Sequence, residues 1–308
     1  MIHFRFNKKL ILLIFGVLIT LNMLAWTAVF DLSEIQLLEV NFFDVGQGDA
    51  IFIETPNRHQ ILIDGGPHSK ILEKLNKEMM PWDKTLDLVI LTHPEHDHIA
   101  GLIEALKRYK VNYILWTGVL QETAEYSEWQ KLIQQEGAEI KIAKAGQKII
   151  LPTNSGPIKM EILYPFESLE GKRVKNANNS SIVSRLVFGD ISFLFTGDIY
   201  KLIEYKLIEK GVDLESNILK AGHHGSKTSN SEEFIKMVNP EVVVILVGGN
   251  EKVEGKKCDN KKRNRYGHPN CKVLENFEKL GINILRTDEN GDIKITSNGT
   301  DYKVASSK

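Results

Sequence analysis

The segment Thr92-His93-Pro94-Glu95-His96-Asp97-His98 constrains this chain more than any other stretch. It follows the apolar run LDLVIL, which reads as a strand buried on both faces. It precedes Ile99 to Tyr109, where apolar residues recur at helical spacing. Three histidines and two acids within six residues of a strand-to-helix loop can converge on one point beyond the strand end. A solvated polar loop often carries one or two histidines, but not this density. Imidazole and carboxylate donors suit Zn²⁺, Mn²⁺ or Fe²⁺ rather than a thiolate centre. Two cysteines in 308 residues are too few for a Cys-rich zinc module or a disulfide scaffold.

Three further segments repeat this arrangement of a strand end bearing an acid or a histidine. Thr196-Gly197-Asp198 follows ISFLF, and Gly222-His223-His224-Gly225-Ser226 follows NILKA. Tyr266-Gly267-His268-Pro269 follows VVVILV after an insertion. Each alone reads equally well as an ordinary turn or a bland histidine. Together they place ligand-type side chains on one edge of an α/β sheet, where sites form. Strands are expected at LLEVNFF, AIFIET and QILID, and later at residues 158–163, 182–188, 191–196, 218–221 and 242–247. Helices are expected at 200–210, 231–238 and 272–280. Early strands pair with neighbours and later ones alternate with helices, so a layered α/β sandwich over 36–297 is expected, followed by a fraying polar tail at 298–308.

The N-terminus has a different character. Leu10 to Phe30 is a 21-residue run without charge, about 30 Å as a helix and therefore one bilayer core. Residues 1–9 carry Arg5, Lys8 and Lys9, whereas Asp31 and Glu34 follow the run. The positive-inside rule then puts the N-terminus in the cytoplasm and the rest outside. A cleaved signal peptide is the rival reading, although Trp26 stands where a small residue is wanted before a cut after Ala28. A buried helix of a soluble protein is the third.

The motifs HxxxDH, TGD and a downstream histidine resemble the metallo-β-lactamase fold, an αββα sandwich with a metal site on one edge. More narrowly, the chain resembles the C-terminal hydrolase domain of ComEC-type competence proteins. The matching pieces are DVGQGDA from Asp44, LIDGG at 62–66, Thr92 to Gly101, NNSS at 178–181, Phe195 to Asp198, Leu219 to Ser229, and Asn264 to Pro269. The resemblance implies His93, Asp97, His98, Asp198 and His268 as metal ligands. A sixth ligand would come from His223 or His224, of which His223 is favoured. It also implies Asp64 as an acid that orients ligands. The superfamily pattern HxHxDH departs here, because Glu95 stands where a second histidine would be, and Asn178 and Ser181 occupy the region of a third. ComEC-type proteins share this loss. It leaves one metal position poor in imidazole and suits a single ion or a harder one such as Mn²⁺. The polytopic channel domain usual in that family does not accompany these residues, so a separate competence channel protein is an expected partner.

What the resemblance implies chemically is hydrolysis by a metal-bound hydroxide, with Asp97 and Asp198 central and one or two ions of Zn²⁺ or Mn²⁺. The expected activity is that of a membrane-anchored phosphodiesterase, most directly a DNase. Alternatives are hydrolysis of another extracellular ester, such as a phosphorylcholine ester or a lactone, or a DNA-binding module without turnover. Several residues are candidates for contact with substrate or for support of the site. Asp44 and Asp49 flank a Gly-rich loop, Asn178 and Ser181 precede a strand, Lys220 and Ser226 bracket the histidine pair and could hold a phosphate, and His224 is the second histidine of that pair. Residues 251–272 hold eight basic and three acidic side chains in a chain of net charge −1, a basic patch suited to a polyanion. Cys258 and Cys271 flank it and can pair in an oxidising compartment.

Overall fold

The structure, a computed structural model, describes residues 7–33, 37–153, 156–249, 264 and 266–308. It divides into two units, Met1–Gln36 and Leu37–Lys308. The first holds helix α1 (Lys8–Ser33), whose segment Lys8–Thr27 is long and apolar enough to cross a membrane.

The second unit is built on two mixed sheets. One contains β1 (Leu38–Phe42), β2 (Ile51–Glu54), β3 (Gln60–Ile63), β4 (Thr85–Leu91), β5 (Lys110–Trp116) and β6 (Glu139–Ile142). The other begins with β7 (Lys148–Leu151), β8 (Ile158–Tyr164), β9 (Val183–Phe188) and β10 (Ile191–Phe195), and continues with β11 (Ile218–Lys220), β12 (Val242–Ile245) and β13 (Asn283–Arg286). Strands β14 (Ile293–Ser297) and β15 (Tyr302–Ser306) return to the first sheet, whose order is β15-β14-β1-β2-β3-β4-β5-β6. The second runs β13-β12-β11-β10-β9-β8-β7. Helices α2 (Lys70–Glu78), α3 (His96–Leu106) and α4 (Ala124–Glu136) are separated in sequence by first-sheet strands. Helices α5 (Lys201–Glu209), α6 (Glu232–Val238), α7 (Cys271–Lys279) and α8 (Thr287–Asn290) belong to the second half.

Side-chain alternation explains the layers. Leu38, Val40, Phe42, Ile61, Ile63, Leu88 and Ile90 meet Ile158, Phe193, Phe195, Ile218 and Val244 between the sheets. The intervening residues Phe52, Leu62, Val89 and Leu91 pack outward with Leu75, Leu102 and Trp129 of α2, α3 and α4. Leu194, Leu219, Val243 and Ile245 do the same with Ile203, Phe234 and Phe277 of α5, α6 and α7. Both faces of each central strand are thus apolar, which is why LDLVIL carries no polar alternation. The result is the αββα sandwich that the sequence led us to expect.

One expectation changes. Residues from Gly299 do not fray: β15 pairs antiparallel with β14, and Ser307 and Lys308 donate backbone hydrogen bonds to Asp292 and Asn290. Thr296 and Ile295 find backbone partners in Lys303 and Val304, so the polar composition marks an exposed edge strand rather than a loose end. Strand β5 and helix α4, absent from the sequence reading, fill the span between the two motif-bearing halves.

Candidate metal centre

The site forms where the C-terminal ends of β3, β4, β10, β11 and β12 meet the loop after β1. Each motif reaches it through a local constraint. Helix α3 starts at His96 and carries Asp97 and His98 on its first turn, while His93 sits in the loop after β4 and is fully buried. The loop of DVGQGD lies directly on this turn: Asp49 N donates to Asp97 O at 3.2 Å, and a Cβ on Gly48 would stand 2.3 Å from that same oxygen. Gly101 packs backbone to backbone on Gly65, whose carbonyl oxygen would lie 1.8 Å from an added Cβ. These glycines are what allow two chain segments to bring Asp49, Asp64 and His98 together.

Asp64 Oδ2 lies 2.8 Å from His98 Nδ1, and the same carboxylate accepts from Thr92 N and Oγ1 at 2.8 and 2.6 Å. Donation of Nδ1–H to Asp64 sets the tautomer and leaves the Nε2 lone pair free to ligate. His98 Nε2 has no hydrogen-bond partner among the described residues and lies 3.4 Å from Asp198 Oδ2 and 4.0 Å from Asp97 Oδ1. His224 Nε2 lies 3.2 Å from Asp97 Oδ2 and 3.3 Å from Asp198 Oδ2, while its Nδ1 meets Leu246 O at 2.8 Å. Ligand atoms of His93, His98 and Asp198 fall within 4.8 Å of one another, as do those of Asp97, His98 and His224. A buried imidazole nitrogen without a protein partner, facing two carboxylates, fits a divalent ion with N and O ligands.

The charges are strongly coupled. Burial pushes His224 down, but the Asp198, Asp49 and Asp97 carboxylates more than offset it and raise it to about 10. His98 is held well above its ordinary value in the same way, against burial, by Asp198, Asp64 and Asp97. His93 goes the other way, to about 3, through burial and the neighbouring His98. Asp198 stays well below the usual carboxylate range despite burial, because His224, Lys220 and His98 surround it.

Of the adjacent histidines, the structure brings His224 rather than the favoured His223 among the carboxylates. Both occupy left-handed backbone, φ 48° and 52°, at a cost of roughly 1–2 kcal/mol each. That strained turn aims successive rings apart. His223 stacks on Tyr200 at 5.3 Å, with Nδ1 2.9 Å from Thr228 Oγ1. His268 lines the cleft beside His223, ring centroids 5.3 Å apart, and burial with the two neighbouring histidines lowers it to about 4.

Other candidates are placed elsewhere. Asp44 lies within reach of Lys70 and Lys308, at 3.6 and 3.5 Å, and accepts from Gly46 N, so it fastens its own loop. Ser181 Oγ accepts from Asp198 N at 3.0 Å and fixes the turn that presents that carboxylate. Ser226 meets Thr228 Oγ1 at 3.0 Å and is buried. Lys220, expected to reach a phosphate, is fully buried and ion-paired to Asp49 and to Asp198. Cys271 opens α7 and is disulfide-bonded. Cys258 and the basic residues at 251–263 and 265 lie outside the described residues.

The sequence reading missed Tyr200 and gave Glu95 no partner. Asn178 sits between them: with its amide nitrogen toward Glu95 it donates to Oε1 and Oε2 at 2.5 and 3.1 Å, and its oxygen accepts from the Tyr200 hydroxyl at 3.1 Å. The only sequence signal was the position of Tyr200 two residues after Asp198. A cleft of about 500 Å³ opens above the centre, lined among others by Gln47, His68, Glu95, Asp97, Asn264 and Tyr266.

Residues 43–249 match the model of the metallo-beta-lactamase superfamily. ComE operon protein 3 of Bacillus subtilis is 32% identical over a match covering 83% of this chain and 32% of that protein. Competence protein ComA of Neisseria gonorrhoeae is 30% identical, with 83% and 32% covered. The chain therefore spans about a third of the length of these relatives. Among solved structures, the metallo-beta-lactamase fold protein YhfI from Bacillus subtilis superposes with a TM-score of 0.53 at 14% identity, covering 85% of this chain and all of that one.

Proposed function

The chain belongs to the metallo-β-lactamase superfamily, and from that premise we propose that it is a metal-dependent phosphodiesterase acting on DNA outside the cytoplasm. The observation that carries this reading is the clustering of His93, Asp97, His98, Asp198 and His224, of which Asp97 and His224 line an open cleft. A divalent ion held there supplies a Lewis acid that acidifies water and neutralises charge on a phosphoryl oxygen. The chain's own residues do the rest. Asp64 holds His98 in one tautomer, Ser181 holds the Asp198 turn, and Glu95, in place of an imidazole, is held by Asn178.

A donor set rich in carboxylates favours a harder ion such as Mn²⁺ alongside Zn²⁺. DNA is the preferred substrate on two supports. The relatives ComE operon protein 3 and competence protein ComA point to competence, and the basic run at 251–272 contains His268. Helix α1 is read as the membrane anchor, with Arg5, Lys8 and Lys9 on the cytoplasmic side. A separate channel protein would then be its partner in DNA import.

The test is a substrate panel on the full chain in detergent with Mn²⁺ or Zn²⁺. It comprises single-stranded DNA, a chromogenic phosphodiester, a phosphorylcholine ester and a lactone. Hydrolysis of both phosphodiesters is expected. Turnover of the lactone or the phosphorylcholine ester alone would shift the assignment to another ester. DNA binding without turnover of any substrate would leave a binding module.

A further inference from the structure

Between α2 and β4 the chain exposes apolar side chains that the core does not use. In Met79-Met80-Pro81-Trp82-Asp83-Lys84, Met79 is buried, but Trp82 is 79% exposed and Met80 41%. The turn is fastened: Asp83 N donates to Met80 O at 2.9 Å, and Asp83 Oδ2 accepts from Gln60 Nε2 at 3.0 Å. A single exposed apolar residue needs no explanation. What distinguishes this turn is where it lies and what surrounds it.

It lies at the edge of the domain where the chain enters. Leu38 begins β1, and the register carries Glu39 across Glu54 of β2 to Gln60 of β3, which holds Asp83. A second link runs through Lys294, whose Nζ meets Glu39 Oε2 at 2.8 Å and Oε2 of Glu78, the last residue of α2, at 2.6 Å. Four residue steps separate Leu37 from Ser33, the end of α1, a reach of at most about 14 Å. The metal centre belongs to the opposite edge. Strand β4 begins at Thr85, beside the turn, and ends at Leu91, two residues before His93 and about 20 Å away.

The neighbouring loop, between α3 and β5, is basic. Lys107, Arg108 and Lys110 are exposed, and Lys110 N donates to Lys84 O at 2.8 Å, which joins the two loops. Lys107 also reaches Glu104 at 2.9 Å. Residues 79–84 and 107–110 together carry four basic side chains and one acid, Asp83, in a chain of net charge −1. Tryptophan beside lysine and arginine suits a membrane–water interface, where the ring sits at headgroup level and the cations meet anionic lipid. The same like charges disfavour a symmetric contact with a second copy, in which the patch would face itself.

We propose that this edge of the domain rests on the bilayer, with Trp82 and Met80 among the headgroups and Lys84, Lys107, Arg108 and Lys110 on anionic phospholipid. The metal centre is then held at the edge turned away from the lipid, whose negative charge would repel a polyanionic substrate. This rests on the reading of α1 as the membrane anchor.

The experiment reads tryptophan emission from the full chain in nanodiscs of phosphatidylcholine and phosphatidylglycerol, with or without acyl chains brominated near the glycerol end. Of the four tryptophans, Trp116 and Trp129 are buried and give the background, measured in the pair Trp26→Phe with Trp82→Phe. Trp26→Phe alone then reports Trp82, and Trp82→Phe alone reports Trp26 in α1. Brominated lipid is expected to remove most of both contributions, and Trp82 should escape quenching by aqueous iodide. Arg108→Gln with Lys110→Gln, or discs without phosphatidylglycerol, should weaken the lipid quenching of Trp82. Trp82 quenched by iodide and not by brominated lipid would overturn the docking, while quenching of Trp26 would leave the anchor in place. Trp82 shielded from both quenchers would show that protein rather than lipid covers the turn. Lipid quenching unchanged by charge would remove the basic residues from the contact. Quenching of neither tryptophan by brominated lipid would overturn the anchor reading as well.

Discussion

Asp64 and His98 form a buried pair, Oδ2 to Nδ1 2.8 Å, at the point where the loop after β3 meets the first turn of α3. Neither side chain is exposed to solvent. The pair ties the direction of a ligand nitrogen to a carboxylate that is itself held by Thr92 N and Oγ1. Asp64 itself sits at φ 56°, a conformation that aspartate and asparagine adopt more readily than most side chains.

Asp64→Asn should therefore fold normally and bind metal more weakly. The amide oxygen can still accept from Thr92 N, but the charge that favours Nδ1–H on His98 is gone. Loss of such an outer partner typically costs about 10–100-fold in metal affinity. Competition against a chromogenic chelator measures it, and an unchanged affinity would show that Asp64 does not tune the site.

Asp97→Ala and Asp198→Ala should both abolish turnover but differ in stability. Asp97 is partly exposed on a helix turn, so its loss should leave the melting temperature near wild type. Asp198 is buried against Lys220, and breaking a buried pair costs about 3–5 kcal/mol. Calorimetry of the two variants separates the cases. Equal melting temperatures would contradict the role given to the Lys220–Asp198 contact.

Metal binding should release protons and strengthen with pH. In the ion-free centre His224 is raised to about 10, so at neutral pH it carries a proton that ligation must displace. The sign for stability follows: its contribution to the ion-free fold is full below the ordinary histidine value of about 6.5 and is lost as pH rises through about 10. Chelator-treated protein should thus lose melting temperature over that window as metal affinity climbs. Calorimetric titration in buffers of different ionisation enthalpy reads the proton count, and binding at pH 7 without proton release would contradict it.

Replacing Lys261, Lys262 and Arg263 by Ala should flatten the salt dependence of DNA binding. On duplex DNA the log–log slope should fall by up to about 0.9 for each phosphate that is no longer neutralised. Hydrolysis of a small phosphodiester should be spared. An identical slope would remove these residues from the path of the substrate.

Much of the fold was legible because both faces of the central strands are buried: LDLVIL, ISFLF and VVVILV announce themselves as apolar runs ended by His93, Asp198 and a downstream histidine. Strand β15 was not legible, since Tyr302–Ser306 lies at a sheet edge where polar side chains face solvent. The choice between His223 and His224 was beyond sequence reasoning too, because it depends on two left-handed φ values set by the Gly222–Gly225 turn. Lys220 was misread for a similar reason. A lysine beside two histidines looks like a phosphate anchor until the strand's alternation is known to turn it inward.

The central claim is tested most directly by cleavage of single-stranded DNA with the full chain in detergent, with Mn²⁺, after removal of the ion by chelator, and after its return. Cleavage should disappear with the ion, return with it, and be absent throughout in Asp97→Ala. Cleavage that persists in chelator, or a wild-type chain that binds the ion and DNA yet leaves the strand intact, would contradict it.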